Sequence, residues 1–75
     1  MSVTKAIHLI NLGREFDLKY QNKLYQISHT DTLKLIASKE TQKEYPSAEE
    51  LFDNFEIDGN KLADIWNNVE IDCIL

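Results

Sequence analysis

Between Asn11 and Phe16 the spacing of apolar residues switches from helical to alternating, and that switch decides the class of fold. Val3, Ala6, Ile7 and Ile10 stand at i, i+3, i+4 and i+7, the stripe of an amphipathic helix. Ser2 can cap its start and Gly13 can stop it in the left-handed region, which predicts a helix over residues 3–12. His8 lies off the stripe, toward solvent. From there Phe16, Leu18 and Tyr20 alternate with Glu15, Asp17 and Lys19, as in a strand with one wet face. The spacing predicts a turn at Gln21-Asn22-Lys23, centred on Asn22-Lys23 because Asn tolerates positive φ, and a returning strand from Leu24 to Ser28.

A break at His29-Thr30-Asp31-Thr32 leads to a third strand over Leu33–Ala37, which makes an antiparallel meander. Ser38 to Lys43 contains no apolar residue and reads as a loop or an exposed strand extension. Ser47 with Glu50 three residues on is a capping box, so a second helix starts there and buries Leu51, Phe52 and Phe55. Asp58-Gly59-Asn60 breaks it as a helix-helix turn, and Leu62, Ile65, Trp66 and Val69 restore helical spacing for a third helix with Trp66 toward the core. Val69, Ile71 and Cys73 then alternate in a last strand, with Cys73 read as a buried structural cysteine. The expected class is α+β, one domain over residues 1–75, in the order α-β-β-β-α-α-β. Helices cover one face of a small, mostly antiparallel sheet, a three-strand meander plus a C-terminal strand that could join either edge.

A chain of 75 residues supports a single core, which fits that compact arrangement. Its one cysteine permits no internal disulfide, and no apolar run has the length of a secretory signal or a membrane span, so a cytoplasmic location is expected and no membrane association.

Catalysis needs convergent groups, and the chain offers few. Cys73 has only His8 or His29 as a conceivable base, and His29 reads as a turn residue. Asn54 to Gly59 superficially suggests a calcium loop, but with Gly59 at loop position six the twelfth position is Ile65 instead of a bidentate Glu. One Cys and two scattered His do not make a zinc set. No enzyme, cofactor or metal site is therefore expected.

The charge is divided. Residues 1–43 carry seven Lys/Arg against four Asp/Glu, whereas residues 44–75 carry one Lys against nine, so a net charge of -5 hides an acidic half of -8. Such a half repels phosphate backbones, which argues against direct nucleic-acid binding, and attracts a basic protein surface. Glu49, Glu50, Asp53, Glu56, Asp58 and Asp64 are the candidate partner-binding residues. Glu49 and Asp53 are like charges at i, i+4, an arrangement local stability does not ask for. Tyr25 joins them: if Leu24 is buried the pleat turns Tyr25 outward, and either assignment leaves one apolar side chain on the wet face.

The stretches Glu15-Phe16-Asp17-Leu18-Lys19-Tyr20, Asn22-Lys23-Leu24-Tyr25 and Phe52 to Leu62 followed by Ile65-Trp66 resemble the small acidic accessory proteins of phages and prophages of Gram-positive bacteria. The resemblance implies a stoichiometric, non-catalytic inhibitor or regulator of a host protein. The alternative expectation is an assembly protein that forms a homodimer, or joins a larger complex, through an exposed sheet edge.

Overall fold

The structure, a computed structural model, describes residues 1–30, 35–37 and 43–75. Helix α1 (Val3–Asn11) begins where the Ser2 hydroxyl accepts the Lys5 N–H at 3.0 Å. It ends in a Schellman arrangement: Gly13, at φ +97°, donates to the Ile10 carbonyl and Arg14 to the Leu9 carbonyl. Strands β1 (Phe16–Tyr20), β2 (Lys23–His29), β3 (Leu35–Ala37) and β4 (Lys43–Tyr45) follow, then α2 (Ala48–Asn54). A two-residue-per-arm hairpin of β5 (Glu56–Ile57) and β6 (Asn60–Lys61) leads to α3 (Leu62–Ile65), a 3-10 turn (Trp66–Asn68) and β7 (Glu70–Ile74). The sheet order is β4-β3-β2-β1-β7, antiparallel at every junction, with β5-β6 as a separate pair.

The fold is α+β in the expected order, with β4 and the β5-β6 hairpin inserted. The open question of the last strand resolves on the β1 side, where Glu15 and Leu75 exchange backbone hydrogen bonds of 2.7 and 3.2 Å beyond the ladder. Arg14 Nε adds a bond of 2.8 Å to the Leu75 carbonyl. Of the turn expected at 29–32, His29 instead ends β2, paired with Leu35, because the strand runs one residue past Ser28. Residues 31 and 32, the strand start at Leu33 and the polar stretch from Ser38 up to residue 42 lie outside the described residues, and Lys43 lies in β4.

Three elements differ from their sequence reading. The first hairpin turn is centred on Gln21-Asn22, both at positive φ, because Lys23 already pairs with Tyr20 and leaves a two-residue loop. The break at Asp58-Gly59 is itself a tight hairpin: both residues have positive φ, Ile57 pairs with Asn60, and Leu62 donates to the Phe55 carbonyl at 2.8 Å. In β7 the register shifts, since Cys73 opposes Asp17 while Ile71 opposes Leu18. The extra residue is a β-bulge, and it turns Ile71 and Ile74, three apart, toward the same face. Strict alternation through Val69, Ile71 and Cys73 is thereby broken, and Cys73 is exposed where burial was expected.

All three helices lie on one side of the sheet. Phe16, Leu18 and Ile27 turn to that side and are at most 2% exposed. They meet Ala6 and Ile10 of α1, Leu51 and Phe52 of α2, and Leu62, Ile65 and Trp66 in one contiguous cluster. At 25 cal/mol per Å2, each such side chain contributes about 1.5 to 3 kcal/mol of burial, which is why this face sets the register. The other face of the sheet carries Asp17, Lys19, Leu24, Gln26 and Ser28, and among the described residues no helix covers it. No helix among the described residues is long and apolar enough to cross a membrane.

Candidate protein-interaction surface

Helix α2 displays its acids because its apolar residues are spoken for. Ala48, Leu51 and Phe52 are buried at one side, so Glu49, Glu50 and Asp53 are left at the other, all exposed. The start is fixed by the Ser47 hydroxyl, which accepts the Glu50 N–H at 3.2 Å. Asn54 Nδ2 donates to the Glu50 carbonyl at 2.9 Å and closes the last turn. Glu49 and Glu50 in the first turn also meet the positive end of the helix dipole, a favourable placement of a few tenths of a kcal/mol to about 1 kcal/mol.

The remaining candidates follow directly. Phe55 and Ile57 are buried, which leaves Glu56 between them and Asp58 at the hairpin tip exposed. Lys61, the one cation of the acidic half, sits opposite Glu56 in the β5-β6 ladder. Asp64 is exposed on α3 between the buried Leu62 and Ile65. All six carboxylates therefore reach solvent. Glu56 also acts on Tyr45: burial of that ring, and then the Glu56 carboxylate, hold the phenol above its ordinary value of 10.0. Helix α2 itself packs beside β4 at the sheet edge.

Tyr25 is placed differently from the acids. It faces the helices, opposite Leu18, and meets Phe55 edge-on with ring centroids 6.3 Å apart. The alternative posed by the pleat resolves with Leu24 outward, at 51% exposure. Leu24 is an apolar side chain that this face displays, set there by the Gln21-Asn22 turn, which pairs Leu18 with Tyr25 on the inward side.

No protein family, curated protein or solved structure matches this chain. The surfaces must accordingly be read from their own chemistry. His29 is exposed and donates its backbone N–H to Glu15 Oε2 at 3.0 Å; His8 is exposed on α1. Among the described residues no three His, Cys, Asp or Glu side chains are grouped to hold a metal ion. The edge strand β7 carries Glu70 and Asp72, both exposed, and its bulge bends the ladder; both features oppose the addition of another strand.

Proposed function

We propose that this chain is a non-catalytic protein-binding module that meets a basic surface of another protein through the carboxylates of residues 49–64, acting as a phage-type inhibitor or regulator in the cytoplasm. The observation that carries the reading is the exposure of Glu49, Glu50, Asp53, Glu56, Asp58 and Asp64 alike, in a half of the chain with a single lysine. Exposed like charges repel one another and add little to the fold beyond the dipole term at α2 and the Glu56–Lys61 cross-strand pair, whereas they steer and hold an oppositely charged partner. The same charge disfavours nucleic acid as the direct ligand.

Affinity capture from the source cell, followed by identification of the bound protein, tests this. The neutral variant Glu49→Gln/Glu50→Gln/Asp53→Asn keeps the Ser47 cap, because the Glu50 backbone makes that bond. The native chain should retain a protein with a basic surface and the variant should release it; equal retention by both refutes the role of α2.

A further inference from the structure

On the uncovered face of the sheet, a depression of about 220 Å3 is lined by Asp17, Leu18, Leu24, Tyr25, Gln26 and Asp72. Leu18 and Tyr25 send their side chains to the other face, so they form its floor, and Asp17, Leu24, Gln26 and Asp72 form its walls. Two of these residues are held in place by specific features. Gln26 Nε2 donates to Asp17 Oδ1 at 3.1 Å across the β1-β2 pair, which fixes the carboxylate and leaves its second oxygen for a ligand. Asp72 reaches the site only because it is the extra residue of the β7 bulge, between Ile71 opposite Leu18 and Cys73 opposite Asp17. Bulges commonly re-aim a side chain in this way. Lys19, the cation beside this depression among the described residues, stands between Leu24 and Glu70 in the two ladders, so Glu70 offsets it and the two aspartates leave the depression an excess of negative charge.

Size and chemistry narrow the occupant. Sites for cofactors and drug-sized ligands run from about 300 to about 1,000 Å3, so this one suits a single side chain. Two carboxylates with an amide between them call for a cation with several donors, and the half-exposed Leu24 calls for an apolar stem. Arginine has both: a planar guanidinium with five N–H donors, weakly hydrated, on a chain of methylenes. We infer that this depression docks one arginine side chain of a partner protein, its guanidinium between Asp17 and Asp72 and its stem across Leu24. The site lies on the sheet face away from α2, and the inference stands whether or not residues 49–64 bind anything.

Amide chemical shifts of the full chain, titrated with the blocked dipeptide acetyl-Arg-Arg-amide and with its neutral citrulline counterpart, test it. The arginine peptide should shift residues 17, 24, 26 and 72 in a saturable way, the citrulline peptide should not, and Asp17→Asn/Asp72→Asn should weaken binding about tenfold. The amide oxygen introduced at position 17 can still accept from Gln26, and an unchanged thermal melt shows that the variant is folded. The neutral α2 variant should bind the peptide at this face as the native chain does. Shifts confined to residues 49–64, equal shifts with citrulline, or no shifts at all would overturn the inference. So would shifts of the same four amides on simple concentration of the protein, which would give the face to a second copy.

Discussion

Trp66 joins the 3-10 turn, α2 and the sheet in one contact set. It is 3% exposed, with its ring centroid 4.9 Å from Phe52 and 6.2 Å from Phe16. Trp66→Ala should cost about 3 to 5 kcal/mol in urea unfolding, a large fraction of the stability of so small a domain. Tyr45 provides a pH signature. Its folded-state phenol titrates above its unfolded value, so the folded chain holds that proton more tightly and the associated stability is full below about pH 10 and lost as pH rises through the folded value. Unfolding midpoints compared between about pH 9 and about pH 11 should fall in the native chain and fall less in Tyr45→Phe, with Glu56→Gln intermediate. At this scale the core was largely legible: Leu51, Phe52, Phe55 and Trp66 are buried as their spacing implies. Cys73 was not, because a residue's face depends on every register step before it, and one extra residue at Asp72 reverses the parity.

The β1-β2 hairpin places two non-glycine residues, Gln21 and Asn22, at φ +50° and +65°. A left-handed Gln is strained by about 1 kcal/mol, and the turn geometry prefers Asn followed by Gly. Gln21→Asn/Asn22→Gly should therefore raise stability by about 1 kcal/mol, read as a higher urea midpoint at unchanged slope; a loss of stability would mean that the turn is not of this type. The β5-β6 hairpin teaches the complementary lesson. Asp58-Gly59 flanked by Ile57 and Asn60 carries the strongest short-range hairpin signal in the chain, and the helical spacing on both sides concealed it. Two-residue arms have no periodicity of their own, so only the dipeptide could have revealed them. Helix α1, by contrast, was legible to within a residue, since cap, stripe and glycine stop all agree.

For the whole molecule, the antiparallel sheet with helices on one face was set by the order of periods along the chain, while the place of β7 was not, because either edge satisfies an alternating strand. Its position leaves Glu70 and Asp72 on an outer edge, so two copies pairing there would oppose like charges. Light scattering after gel filtration should give a concentration-independent monomer; a dimer would instead place the partner surface on the sheet edge. The candidate residues stand out as a charge pattern in residues 44–75, and their exposure follows from the buried residues between them, but charge alone does not say which face meets a partner. The central claim is that exposed carboxylates of residues 49–64 hold a basic protein. The most direct test is the affinity for the captured partner measured against salt, for the native chain and for Glu49→Gln/Glu50→Gln/Asp53→Asn. Screening should weaken the native complex steeply and the variant complex much less, with the two converging at high salt. Parallel curves for the two proteins would contradict the claim.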